Sequence, residues 1–526
     1  MTISSIVWVP KGASKEEPLR FKLTDAEYES IQSKIASHIK EIKEEPPSDA
    51  EIAAVIAESS KKQPQASATS TANSKDDFIK EFDLDNYDDD EDADFLPDGN
   101  ENDEESDDDD GNDSLTEEKD GSLFASVKGL TFQDGESKDP YITLADAEDE
   151  AEELEEMMVA STDNLILAAK TEDDISHIEV YLYEGGEDNL FVHHDIMLPS
   201  FPLCLEWLNF DIVGNGQGKG NYVAVGTFDP EIEIWDLDII DASYPTIILG
   251  SSKAPFESRG STRKKRASKK PHDEYHVDAI MCLAWNRQHP SLLASGSADT
   301  TIKLWDLNSA TPEKAIRSFS NHKAKVQALA WNLVQGEVLL SGGYDNQAHV
   351  FDTRAPAAVN IFKLTADVEA LKWDPIHPER FFVSTEDGVV KCFDGRNTKT
   401  SVFTIHAHDG AVSALDISAR VDGLIVTGGD KATKIWATED PGAIKCLASK
   451  DLQVGKVYSA CFSPDDDLVV GVAGGAGKVV VWNLEGNPSV RRAVKGAESD
   501  GSSAKKEVTT VEEDDGEDTD NDMDED

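Results

Sequence analysis

Ser295-Gly296-Ser297-Ala298-Asp299-Thr300-Thr301-Ile302-Lys303-Leu304-Trp305-Asp306 is the stretch on which the reading of this 526-residue chain turns. An apolar, β-prone run ends in Trp305, and an Asp stands six residues before it. The same arrangement returns along the chain. Downstream aromatics stand at Trp235, Trp305, Phe351, Phe393, Trp436 and Trp482, and an upstream series at Trp207, Trp285, Trp331 and Trp373 is continued by Ile417 and Phe462. The two positions lie 20 residues apart at 285/305, 331/351, 373/393 and 462/482, 19 apart at 417/436 and 28 apart at 207/235. A period of about 42 to 46 residues is that of a four-stranded propeller blade, a unit that buries its faces only by stacking on its neighbours. Eight of the nine tryptophans obey the period; Trp8 is read as lying outside it.

The predicted fold is therefore all-β: a seven-bladed propeller over 161–490, with a degenerate first blade near 163–200 built on Leu165–Ala168 and Ile178–Tyr181. Two candidates are open for closing the ring, the apolar strand around Ile6–Val9 and the segment 123–144. Asp229, Asp299, Asp345, Asp387 and Asp430 stand six residues before the downstream aromatic, whereas the last blade has Ala476 there. His276, His322 and His408 stand nine residues before the upstream position. His276, Ser295, Asp299 and Trp305, and likewise His408, Thr427, Asp430 and Trp436, are expected to form buried hydrogen-bonded sets. Buried polar groups need such partners, at a cost of roughly 1–3 kcal/mol each when they lack them. The His and Asp residues are thus read as structural rather than catalytic.

Outside the ring the chain is strongly acidic. The formal charge is -56; residues 1–160 hold 46 acidic and 14 basic side chains, and residues 497–526 hold 14 and 2. Residues 1–45 are expected to supply a short strand and an amphipathic helix. The helix opens at the capping box Thr24-x-x-Glu27 and carries Tyr28, Ile31, Ile35, Ile39 and Ile42 on one face. Residues 46–122 read as an acidic disordered arm, 123–160 as a partly ordered segment on the propeller, and 491–526 as an acidic disordered tail. Within the arm, Phe78, Phe82, Leu84 and Tyr87 interrupt the acids and read as a docking peptide. Naked nucleic acid is repelled by such arms, so basic proteins are the expected partners.

One dense basic run stands against this background, in an insertion at 251–275 between the second and third blades. It contains Arg263, Lys264, Lys265, Arg266, Lys269 and Lys270. It reads as a nuclear-import signal, as a contact to RNA phosphates or as a solvated loop. Ser268 within it, and Ser106 and Ser114 beside acidic residues, are candidate phosphorylation sites. Five scattered cysteines without a C-x-x-C pair exclude a disulfide framework or zinc site, and no segment reads as a signal peptide or membrane span. A soluble intracellular protein is expected. Gly214–Gly220 and Gly474–Lys478 lack phosphate-loop spacing, and neither H-E-x-x-H nor G-x-S-x-G occurs. No enzyme, cofactor, metal or small-molecule substrate is expected.

The pairs Trp235-Asp236, Trp305-Asp306, Phe351-Asp352 and Phe393-Asp394 resemble those of WD-repeat proteins. Ser5-Ile6-Val7-Trp8-Val9-Pro10-Lys11-Gly12, Asp83-Leu84-Asp85-Asn86-Tyr87-Asp88, Asp139-Pro140-Tyr141-Ile142-Thr143-Leu144, Val192-His193-His194-Asp195-Ile196, Glu206-Trp207-Leu208-Asn209-Phe210-Asp211 and Ile234-Trp235-Asp236-Leu237-Asp238-Ile239 carry a narrower likeness. They resemble the periodic tryptophan protein 1 family. That resemblance implies a nuclear and nucleolar scaffold in ribosome biogenesis, acting in large-subunit (60S) assembly and pre-ribosomal RNA processing through pre-60S particle proteins. Two alternatives stand beside it. Phe351-Asp352-Thr353-Arg354 and Phe393-Asp394-Gly395-Arg396 are similar to the boxes through which WD-repeat receptors dock on a cullin-type ubiquitin ligase, with Arg354 and Arg396 as the contacts. A histone-binding chromatin scaffold is the other.

Overall fold

The computed structural model describes residues 1–20, 157–173, 175–213, 218–250, 271–309, 314–355, 359–439, 443–495 and 507–511. The strands form seven four-stranded antiparallel sheets, and the inner strands pack on one another in a closed ring. In chain order the inner strands of blades 2 to 7 are Pro202–Leu208, Ile280–Trp285, Val326–Trp331, Val368–Trp373, Ala414–Ile417 and Val457–Phe462. The position between blades 7 and 2 is filled by Thr2–Val9, which pairs with Asn164–Glu172 as the inner strand of blade 1. Of the two candidates for closure, the N-terminal strand is the one the structure uses.

This corrects the reading of Trp8. In every blade the upstream residue, one residue of the second strand and the downstream aromatic share a row, as in Trp285–Leu293–Trp305 and Trp373–Phe381–Phe393. Blade 1 has the same row, Trp8–Ile166–Tyr181. The indole N–H of Trp331 donates to the carbonyl of Ala284 at 3.0 Å and that of Trp373 to Ala330 at 3.1 Å. Each acceptor directly precedes the upstream residue of the preceding blade. Trp8 donates to Cys461, the residue before Phe462, at 3.1 Å. All nine tryptophans therefore belong to the repeat. Blade 1 is complete in rows; it looks degenerate in sequence because its inner strand lies at the other end of the acidic arm and because Ile175 and Tyr181-Leu182 stand where other blades have the turn Asp and the aromatic–Asp pair.

A second repeated contact joins neighbouring blades. A Cβ on Gly226, Gly296, Gly342 or Gly428 would stand within 2.4–2.8 Å of Ile280, Val326, Val368 or Val457, the first residues of the next inner strands. Glycine on the second strand thus lets a β-branched residue of the next blade close against the backbone. Apolar clusters accordingly span blade boundaries: Trp305 packs with blade 2 residues, and Phe351 with blade 3. Each fully buried Trp or Phe contributes on the order of 2–3 kcal/mol by area.

The propeller also extends past its expected C-terminal limit at 490. Helix Pro488–Lys495 follows blade 7, and Val508–Thr510 returns as that blade's outer strand, paired with Val480–Trp482. The expectation of a tail disordered throughout 491–526 is corrected at these residues. Val508, Thr509, Thr510 and Val511 are β-prone and can be half-buried, unlike the acids around them. At the other end, residues after Val9 strap blade 2: Leu19–Arg20 pairs in parallel with Ile239–Ile240, and the Lys15 amide donates to Asp238 at 3.2 Å. The Thr24 helix, the acidic arm and segment 123–156 lie outside the described residues.

Candidate interaction site

Blade 3 holds the complete polar set. Trp305 Nε1 donates to Ser295 Oγ at 2.8 Å, Ser295 Oγ lies 2.7 Å from His276 Nε2, and His276 Nδ1 lies 3.0 Å from Asp299. Asp299 also receives the Thr301 hydroxyl at 2.6 Å and the Val277 amide at 3.1 Å. Burial pushes His276 down toward the neutral form despite the neighbouring carboxylate. Burial opposes charge on Asp299 too, but hydrogen bonds from His276 and Thr301 outweigh it and hold the carboxyl down at about 2. With His276 neutral, each hydrogen has an acceptor: indole to hydroxyl, hydroxyl to imidazole, imidazole to carboxylate. Its atoms are buried and spent on one another, so the set ties a turn to two strands and offers nothing to a substrate.

The other sets are partial. In blade 6, His408 Nε2 lies 2.9 Å from Thr427 Oγ1, which accepts the Trp436 indole at 2.9 Å. Asp430 is exposed and stands outside that set, correcting its expected role; it reaches His408 only through its charge. Blade 4 has His322, Asp345 and Ser341 in contact, with Phe351 in place of the indole donor. In blade 7 the corresponding residues are Gln453, Val472 and Ala476, and the Trp482 indole nitrogen is buried without a partner.

His322, Asp345 and His349 have ligand atoms within 4.8 Å of one another, the spacing of a metal site. Their arrangement does not suit one. The His322 and His349 rings stack at 4.2 Å with 12° between planes, so their in-plane lone pairs run parallel and cannot converge on an ion about 2.0–2.1 Å from each nitrogen. His322 is spent on Asp345 and Ser341, and burial pushes His349 down to about 4.

Arg354 and Arg396 brace their own blades. Arg354 makes two bonds to Asp352, at 3.1 and 2.9 Å, and a third to Glu337 at 3.1 Å; Arg396 makes two to Asp394, at 2.9 and 2.8 Å. Both side chains are nevertheless 68% and 74% exposed. Arg396 also borders a groove of about 480 Å³ between blades 4 and 5, with Phe351, Trp373, Asn360, Glu379 and the exposed Val334. A residue expected to bind a partner thus lines a concavity of the propeller.

The inner strands carry charge that the sequence did not reveal as a group. Glu206 accepts the Trp285 amide at 3.1 Å and Asp416 accepts the Phe462 amide at 2.9 Å, each capping the next blade's upstream residue. Lys372 lies 3.6 Å from Asp416, which raises its pKa, and Glu206 three blades away adds to that effect. The signal was present, since Glu206, Lys372 and Asp416 each directly precede an upstream residue. Phe78, Phe82, Leu84, Tyr87, Arg263, Lys264, Lys265, Arg266, Lys269, Lys270, Ser106, Ser114 and Ser268 all lie outside the described residues.

Seven such sheets with a shared aromatic row, tied by His–Ser–Asp contacts in blades 3 and 4, define a WD-repeat β-propeller. The family model "WD domain, G-beta repeat" matches residues 270–306, 313–352, 399–437 and 445–483. The chain is 38% identical to an uncharacterised WD repeat-containing protein of Schizosaccharomyces pombe, covering 97% of this chain and 94% of that one. It is 34% identical to Periodic tryptophan protein 1 of Saccharomyces cerevisiae, covering 94% and 90%, and 31% identical to the Drosophila melanogaster homolog, covering 66% and 72%. The chain belongs to the periodic tryptophan protein 1 family, and its fold is that of a WD-repeat scaffold.

Proposed function

We propose that this chain is a non-enzymatic scaffold in ribosome biogenesis, acting in 60S assembly and pre-ribosomal RNA processing in the nucleus and nucleolus. The observation that carries the reading is the distribution of charge over a chain of this family. The arms hold an acidic excess of 32 and 12, while the propeller region carries only a small share of the -56. Such arms attract basic proteins over long range, and ribosomal proteins and histones are the abundant basic proteins of the nucleus. The family resemblance favours the former. In this reading the rigid ring presents fixed surfaces, the arms hold basic ribosomal proteins, and the run Arg263–Lys270 directs nuclear import or touches ribosomal RNA.

The test is purification of the tagged chain at low salt, followed by identification of what accompanies it. Large-subunit precursors and their RNA are expected; recovery of a cullin adaptor or of histones alone overturns the reading. Depletion followed by a northern blot should show accumulated pre-ribosomal RNA, and normal processing would count against the proposal. Replacing the six bases with alanine should remove the nuclear signal in microscopy, and unchanged localisation would exclude the import role.

A further inference from the structure

The outer strand of blade 7, Val508–Thr510, is only three residues long and is not joined to its sheet by a hairpin. Helix Pro488–Lys495 and residues 496–507 come between. Beyond its pairing with Val480–Trp482, the Asn483 amide donates to the Glu507 carbonyl at 2.9 Å and Lys450 reaches the Glu507 carboxylate at 3.0 Å. Thr509 stands opposite Val481 and is 4% exposed, whereas Thr510 is exposed. Strand alternation puts Thr509 on the face of Val511 and Val481, which join Trp8, Ile6 and Tyr183 in the apolar cluster shared by blades 7 and 1. The sequence after it is Thr510-Val511-Glu512-Glu513-Asp514-Asp515, placing an acid three residues beyond Thr509.

We propose that Thr509 is a phosphorylation site for an acid-directed kinase, and that its modification releases the C-terminal strand from blade 7. In the reaction the Thr509 hydroxyl oxygen attacks the γ-phosphorus of a nucleoside triphosphate. A P–O bond forms as the bond to the departing diphosphate breaks, and the hydroxyl proton passes to the kinase's general base. A three-residue edge strand belongs to the part of a fold that opens locally, so the kinase acts on the open form. The product carries a charge of about -1.5 to -2. A group of that charge is excluded from an apolar seam between two sheets, because its desolvation is uncompensated there. The modified strand therefore does not return, and the outer edge of Val479–Asn483 is left with unpaired backbone groups, the kind of edge that accepts an extended segment of another chain. Phosphate on the exposed Thr510 has no such effect.

The test treats the full-length protein with an acid-directed Ser/Thr kinase and ATP, maps phosphate by mass spectrometry and follows hydrogen exchange. Phosphate at Thr509 is expected together with exchange at the Asn483 amide faster by about tenfold or more. Thr509→Val should abolish the acceleration, Thr510→Val should leave it, and Thr509→Glu should reproduce it without kinase. The proposal is overturned by phosphate at Thr509 with unchanged exchange at Asn483. It is equally overturned if Thr509 stays unmodified in a Val508→Gly chain, whose strand is already loosened.

Discussion

Blade 3 and the seam between blades 7 and 1 share one aromatic row and are held by opposite means. Blade 3 takes all four of its strands from one stretch of chain and ties its turn with His276, Ser295, Asp299 and Trp305. The seam takes an inner strand from residues 2–9 and an outer strand from 508–510, lacks the tie in blade 7, and is joined by packing of Trp8, Tyr183 and Val481 with the Trp8 bond to Cys461 and bonds from Lys11 and Asn164 to Asp465. Local sequence can specify a blade by itself. Closing the ring needs the two ends of the chain, and there apolar burial and strand pairing replace the buried polar chain.

The sharpest way to break this contrast is to remove the seam strand. Deleting residues 1–10 should prevent closure, read as loss of the cooperative thermal transition, while a synthetic peptide of residues 1–20 added in trans should restore it. A stable transition without the peptide would show that blades 2 to 7 close unaided. Trp8→Ala, which keeps the strand and removes its anchor, should cost about 3–5 kcal/mol in denaturant unfolding.

The polar tie is tested by two matched substitutions. Trp305→Phe removes the donor to Ser295 and should cost about 1–2 kcal/mol, whereas Trp482→Phe, which removes a buried N–H without a partner, should be close to neutral. Equal losses would mean that the tie contributes nothing beyond aromatic packing.

Acid should weaken the ring through its buried imidazoles. Burial pushes His194, His349 and His408 down to about 4 from an ordinary 6.5. Between those values the unfolded chain binds protons that the folded chain refuses, so their contribution is complete above about 6.5 and is lost as pH falls toward 4. Asp299, held at about 2, stays charged across that window, so its own contribution is lost only at lower pH. Unfolding midpoints measured from pH 7.5 to 4 should decline, and a flat profile would contradict the buried neutral state of these rings. The smallest effect is expected for Arg354→Ala and Arg396→Ala, which leave the melting temperature unchanged because the exposed pairs are screened by solvent. Loss of a captured partner in Arg396→Ala would mark the groove between blades 4 and 5 as its docking site.

The fold was legible because its signal is periodic. Trp285, Trp331 and Trp373 recur at a blade's length, and that spacing survives loss of the tie in any one blade. Trp8 was not assigned, since a strand's partners are set by pairing in space and 155 residues lie between Val9 and Leu165, which are paired in the register of blade 1. The β-prone quartet Val508–Val511 was likewise present in an acidic tail, but nothing local says which edge it meets. Asp430 had the correct spacing and the wrong surroundings, because one more residue of turn geometry decides whether a carboxylate faces a ring or water.

The sequence by itself determined the number and order of the blades, the residues of the aromatic row and the segregation of charge into two arms, because these follow from period and composition. Only the tertiary structure decided that Trp8 is the ninth member of the row and that both ends of the chain complete adjacent blades. It also decided that Arg354 and Arg396 hold their own aspartates. Such choices depend on which surfaces meet when the ring closes, and closure is a property of all seven sheets together rather than of any segment within one.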